Sequence, residues 1–285
     1  MCITFCYSTK KNYFSHKNKT LFHYIKHYMN YNQIAQTLDQ AAFLARATQQ
    51  ISLKYPLNLE EAYAIQSISL GRRYRRGERW MGLKLGFTSK AKMEQMGVHD
   101  MIWGRLTDKM FYQNGGELNL SAFIHPRAEP EIAFRISKTI DQTLTLDNAL
   151  EYVNGVGVAI EVIDSRYKDF KFSLEDVVAD NCSSAGFTIG KWHPANTPVQ
   201  DLDMRLIIDG EVVQQGNSNA ILGNPLESLV AAARLARENG ESLEEGAIIL
   251  AGAATPAVYL KPNQRVEATA EGLGKVWLKV MEGNR

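Results

Sequence analysis

A carboxylate inside an otherwise apolar strand constrains this chain more than any other feature. Val156 to Arg166 reads VGVAIEVIDSR, and Glu161 interrupts a run with no other charge before Asp164. Burying a lone carboxylate costs several kcal/mol or forces it to take up a proton. Upstream, His125 to Phe134 reads HPRAEPEIAF. Strand alternation puts Glu129 and Glu131 on one face and Pro130, Ile132 and Phe134 on the other. Alone, that pair reads as two solvated acids on an amphipathic strand. Glu161 demands a counter-charge, and two sources are open. One is an ion pair with Arg127 or Arg166. The other is a cation shared by Glu129, Glu131 and Glu161, which would otherwise repel one another. Neither His125 nor His99 has a second histidine at ligand spacing, so an all-oxygen set points to a hard divalent ion, Mg²⁺ or Mn²⁺.

With 285 residues, 45% of them hydrophobic, the chain can bury a large core. A net charge of +1 gives no global reason to expect nucleic acid or a membrane surface as partner. No apolar run approaches the roughly 20 residues of a membrane span. Cys2, Cys6 and Cys182 form no CxxC pair, and their odd number argues against a disulfide framework, so a reducing cytoplasm is the default. Cys182 has no nucleophile signature around it, and neither a P-loop nor GxGxxG occurs. Residues 1–28 stand apart, with Lys10, Lys11, Lys17, Lys19 and Lys26, three histidines and no acid. They read as an extension outside the fold, with Met29 resembling an ordinary start.

The spacing of Ile34, Leu38, Ala41, Ala42 and Ala45 predicts an amphipathic helix within Asn32–Ile51. A second helix starts at Asn58, three residues before Glu61, and ends near Gly77. Its basic end, Arg72, Arg73, Arg75 and Arg76, reads as a solvated terminus favoured by the macrodipole, with anion binding as the alternative. Trp80 to Phe87 predicts a strand on which Lys84 lies between Gly82 and Gly86; it is either a surface lysine on an edge strand or one facing a ligand. A short helix capped at Thr88 or Ser89 and stopping at Gly97 follows, then an aperiodic loop from Gly97 to Leu106. Asn114-Gly115 and Asp209-Gly210 predict hairpins. A helix over Leu146–Val153 precedes the Glu161 strand. Asp176 to Gly186, DVVADNCSSAG, reads as a loop presenting backbone and hydroxyl groups. Asn224-Pro225 opens a helix that Gly240 ends. Strands at Ala247–Leu250, Arg265–Ala270 and Lys275–Val280 complete an α+β pattern with a mixed or antiparallel sheet.

Four stretches, MGLKLGFTSKAKMEQMGV, HPRAEPEIAF, AIEVIDSRYKDFKF and DNCSSAG, occur in that order from Met81 to Gly186. Together they resemble the hydratase/decarboxylase family of meta-cleavage aromatic catabolism, within the fumarylacetoacetate hydrolase superfamily, and IDSRYKDFKF resembles its decarboxylase branch. The resemblance implies a mixed β-roll core of the fumarylacetoacetase C-terminal type with N-terminal and peripheral helices. It divides the chain into a helical region at 29–79 and a β-roll catalytic domain at 80–285. It implies Mg²⁺ or Mn²⁺ on Glu129, Glu131 and Glu161, Lys84 as catalytic lysine, and Arg127, Arg166, Asp180, Asn181, Ser184 and Thr255 as substrate contacts. The implied reaction is decarboxylation of a 2-oxo dicarboxylate, 2-oxo-3-hexenedioate, with diene hydration on the same site as the alternative. The implied protein partner is the hydratase of the same route, either beside an active enzyme or with this chain as its non-catalytic subunit.

Overall fold

The computed structural model describes residues 30–89, 93–94 and 100–283. The N-terminal extension, His99 and most of the helix expected after Thr88 lie outside the described residues. Two helices lead, α1 over residues 30–43 and α2 over Leu59–Arg75. Helix α1 stops short of Ile51 because Ala45 takes a left-handed conformation, φ 49°. Helix α2 begins as its sequence predicts: the Asn58 side chain accepts from Glu61 N while the Glu61 carboxylate accepts from Asn58 N. Strands β1 (Trp80–Gly86), β2 (Ile102–Thr107), β3 (Glu117–Asn119) and β4 (Arg127–Ile136) follow. A four-residue helix α3 (Leu146–Ala149) and a 3₁₀ turn lead into β5 (Val153–Ile163). Helix α4 (Leu174–Ala179) and β6 (Ser184–Ile189) come next. Then come β7 (Asp203–Ile208), β8 (Glu211–Asn217), α5 (Pro225–Glu238), β9 (Ile248–Ala253), β10 (Val258–Tyr259), β11 (Arg265–Ala270) and β12 (Gly274–Met281).

These strands form two mixed sheets. The larger runs β2-β1-β9-β4-β5-β6, with β10 also on β4; β1 and β9 are parallel and the other pairs antiparallel. The smaller runs β3-β12-β11-β7-β8. Apolar residues from both sheets, among them Phe134, Val158, Leu206, Val266 and Leu278, form the main core with one face of α5. A second core joins Ile34, Leu38 and Ile65 of the leading helices to Ile102, Tyr167 and Val178, so packing crosses the boundary drawn at residue 80.

Three local expectations change. The stretch before Leu106 is not a loop throughout: Ile102–Thr107 is β2, fully buried and paired along β1. Its apolar residues lack a period because both faces are covered. Asn114-Gly115 does form a turn, but β3 pairs in parallel with β12, and the turn is pinned to Trp277 through Gly115 N to Trp277 O and Trp277 N to Asn114 Oδ1. The stretch from Asp176 contains a helix end, a turn and a strand. Its signal lies just upstream, where Ser173 and Asp176 form a capping box that starts α4.

Candidate metal centre

Strands β4 and β5 run antiparallel in a register that places Glu129 directly opposite Glu161. Like charges in that position destabilise a sheet. Glu131, two residues along the same face, joins them, and one carboxylate oxygen of each lies within 4.8 Å of the other two. Glu131 and Glu161 have no solvent exposure; Glu129 is partly exposed.

The counter-charge is Lys84. Its strand β1 is not an edge, lying between β2 and β9, and the side chain is buried, with the residue 4% exposed. Nζ sits 2.8 Å from Glu161 Oε2 and 3.4 Å from the Cys182 carbonyl oxygen. This ion pair spans the two intervening strands, β9 and β4, which requires the sheet to curl around its charged face. Burial opposes the charge on Lys84, but the Glu161, Glu131 and Glu129 carboxylates outweigh it and hold the ammonium above its ordinary pKa. One ammonium does not balance three carboxylates. Burial, followed by the charge on Glu161, pushes Glu131 well above the usual carboxylate range. Glu131 Oε2 accepts from Gly252 N at 2.8 Å, and Glu161 Oε2 has only the Lys84 ammonium beside it, while Glu131 Oε1 and Glu161 Oε1 are buried without a hydrogen-bond donor among the described residues. Gly252, with φ +113°, is required there: a Cβ would lie 2.1 Å from Thr88 Oγ1. Orphaned buried oxygens on an all-carboxylate set fit a hard divalent cation.

The turn that offers the Cys182 carbonyl is built at some cost. Asn181, Cys182 and Ser183 all have positive φ, 51°, 51° and 59°. The Asn181 side chain acts as a strand partner for β2, accepting from Arg105 N at 2.7 Å and donating to Arg105 O at 2.9 Å. Gly104 permits the approach, since a Cβ there would lie 2.5 Å from Asn181 O.

The expected substrate contacts divide. Arg166 is spent within the protein, pairing with Asp180 and donating to Ser184 O at 3.1 Å. It is not the partner of Glu161. Burial pushes Asp180 up to about 6 despite that pairing. Ser184 Oγ contacts Met110 Sδ, and Asn181 is committed to Arg105. Arg127 is different: on the Glu129–Glu131 face of β4, its guanidinium stacks between the rings of Phe170 (3.8 Å) and Tyr259 (4.1 Å), and Nε has no hydrogen-bond acceptor. Thr255, beyond β9, is buried with only a long 3.4 Å contact to Pro256 O. His125 reads as ordinary in the sequence, yet its Nε2 is buried without a partner beside Phe170. The backbone groups of Cys182 and Gly252 carry no sequence signal of this kind.

A curled mixed sheet with three carboxylates and a lysine on its inner face defines a carboxylate-centred β-roll. The chain belongs to the fumarylacetoacetate (FAA) hydrolase C-terminal family, whose model matches residues 92–281. It is 50% identical over 248 residues to a 4-oxalocrotonate decarboxylase of Pseudomonas sp., covering 87% of this chain and 97% of the relative. A 2-keto-4-pentenoate hydratase of Paraburkholderia xenovorans (strain LB400) is 34% identical over 253 residues, covering 86% and 92%. In structure, the chain matches the 4-oxalocrotonate decarboxylase of Pseudomonas putida G7, complexed with magnesium and adipate, with a TM-score of 0.85. That match has 32% identity and covers 89% of this chain and 98% of that one.

Proposed function

We propose that this chain is a Mg²⁺- or Mn²⁺-dependent carboxy-lyase converting 2-oxo-3-hexenedioate (4-oxalocrotonate) to 2-hydroxypenta-2,4-dienoate and CO₂ in the meta-cleavage route of aromatic catabolism. The observation that carries the reading is 50% identity to a 4-oxalocrotonate decarboxylase along nearly the whole of that relative, joined to an orphaned carboxylate centre with a charged lysine.

Glu129, Glu131 and Glu161 would hold the cation. When bound, it supplies Lewis-acid stabilisation of the charge that develops on the substrate's 2-oxo oxygen. Lys84 has three ammonium protons; Glu161 and the Cys182 carbonyl fix the nitrogen, leaving a proton to direct at substrate. A positive charge fixed in a dry site acts most strongly on charge that appears in the transition state. Arg127, whose Nη2 donates to the Tyr259 hydroxyl while Nε has no acceptor, grips a substrate carboxylate, with Thr255 as a further contact. Arg166, Asp180, Asn181 and Ser184 serve by holding the turn that meets Lys84. In the division into 29–79 and 80–285, the described part of the first region braces this turn through α2 and α4, and the second carries the centre. The same reading sets the enzyme in the cytoplasm, beside the hydratase that consumes its dienol product.

The hydratase relatives favour one second reading, water addition to the diene on the same centre. Assays of both substrates separate the two. CO₂ release from 2-oxo-3-hexenedioate is expected, lost in EDTA and restored by Mg²⁺. Consumption of 2-hydroxypenta-2,4-dienoate without any CO₂ release from the dicarboxylate would make the chain a hydratase. Co-purification with the hydratase of the same route tests the partnership.

A further inference from the structure

The basic end of α2 is a solvated terminus only in part: Arg75 and Arg76 are exposed, yet the other arginines are engaged with α1 or turned inward. Arg72 Nε and both terminal nitrogens of Arg76 grip Asp39 of α1 at 2.7–3.0 Å, and Asp39 is 2% exposed. Arg73 instead lines a cavity of about 280 Å³ between the leading helices and the connecting segments around Met110, Phe123 and Asp164. Neither Lys84 nor any of the three glutamates lines it. Its acids are already used. Asp39 holds two arginines; Glu78 Oε2 accepts from Thr107 Oγ1 at 2.7 Å; Asp164 accepts from Ile124 N and His125 N, both at 2.8 Å. Arg166, which also lines the cavity, is paired with Asp180. The Arg73 guanidinium has no hydrogen-bond or ion-pair partner among the described residues. Residues outside that set cannot supply an acidic side chain, since positions 1–29, 90–92, 95–99 and 284–285 contain no Asp or Glu.

We infer that this cavity is a second binding site, for a small oxyanion, with Arg73 as its principal ligand. The Arg73 guanidinium is half-buried and faces the cavity without an acceptor, and its planar fork matches carboxylate and phosphate oxygens in pairs. Burial and the neighbouring charge of Arg166 lower the Arg73 pKa, the environment an incoming anion would relieve. The cavity has room for inorganic phosphate or for the carboxylate of a short organic acid. Both present the same chemistry, and the probes below separate them.

The test is thermal unfolding of the full chain in Mg²⁺, titrated with inorganic phosphate or with succinate, at an ionic strength held constant with chloride. A saturable rise in Tm with at least one probe is expected, and the more effective probe identifies the source. Arg73→Gln is expected to weaken that binding at least about tenfold, with Arg73→Lys between the two because it keeps charge without the fork. Repeating the titration in EDTA leaves the effect in place if the anion sits at Arg73; its disappearance would assign the binding to the cation centre and overturn the inference. An identical rise in Arg73→Gln, or none in the unsubstituted protein, would overturn it too. So would a change of oligomeric state in Arg73→Gln without any anion effect, which would make a neighbouring subunit's carboxylate the partner.

Discussion

Asp176 and Glu161 are both carboxylates with no solvent exposure, and the protein treats them in opposite ways. Asp176 accepts from Ser52 N (2.8 Å), Ser52 Oγ (2.7 Å), Gln50 Nε2 (3.1 Å) and Ser173 N (3.0 Å). It ties the link between α1 and α2 to the start of α4. Glu161 has the Lys84 ammonium on Oε2 as its one donor among the described residues, leaves Oε1 empty and faces Glu129 across the ladder. A buried acid whose lone pairs are filled by the protein is architecture; one left empty is reserved for something else.

Substitutions at the two sites should therefore fail in different ways. The largest effect is on turnover: Lys84→Ala is expected to lower kcat by about 10³-fold or more with the fold retained in saturating Mg²⁺, measured by CO₂ release. In EDTA, where no other counter-charge remains, calorimetry should show a lower Tm. Glu131→Gln should weaken Mg²⁺ binding by at least about a hundredfold, since losing a direct ligand exceeds the effect of losing an outer partner. In EDTA its Tm should hold or rise, because one of three clustered acids has become neutral. Full activity in Glu131→Gln would remove the metal assignment. Asp176→Ala should do the reverse. It strips four donors of their acceptor and is expected to cost about 4 kcal/mol in urea unfolding, with Mg²⁺ affinity per folded molecule unchanged. If Glu131→Gln and Asp176→Ala destabilised equally and left Mg²⁺ binding intact, the acids of the centre would be no different from Asp176 and the comparison would collapse.

Much of this contrast is legible in the amino-acid sequence. Glu161 stands out because one charge breaks an apolar strand, and the Glu-x-Glu pair because alternation puts both acids on one face. Their meeting depends on the register between β4 and β5, which periodicity does not determine. The flanking glycines of Lys84 hint at a ligand, but its burial follows from β2 covering β1, and two buried faces hide β2 from any periodicity. Asp176 reads as part of a loop. Its role depends on Ser52 and Gln50, more than a hundred residues upstream, and no local pattern encodes such a partnership. Asn58, Glu61, Asn224 and Gly240 are readable because caps and stops act within a turn of their own positions.

Asp180 falls between the two extremes and gives the smallest of these effects. It is buried and paired with Arg166, yet burial still outweighs the pairing and raises its carboxyl to about 6 from an ordinary 3.8. The folded state thus holds this proton more tightly than the unfolded chain does. Between about pH 4 and 6 the folded protein binds more protons at this site, so its contribution to stability falls as pH rises through that window and is lost above it. Two units amount to about 3 kcal/mol. Asp180→Asn mimics the protonated form at every pH. The difference in unfolding free energy between variant and unsubstituted protein should therefore move toward the variant by about 3 kcal/mol from pH 4 to 7, in urea melts at matched ionic strength. Taking the difference cancels Glu131, which shifts in the same direction but is common to both proteins. A difference that stays flat with pH would mean that Arg166 compensates burial in full, and Asp180 would then belong with Asp176 as a satisfied acid.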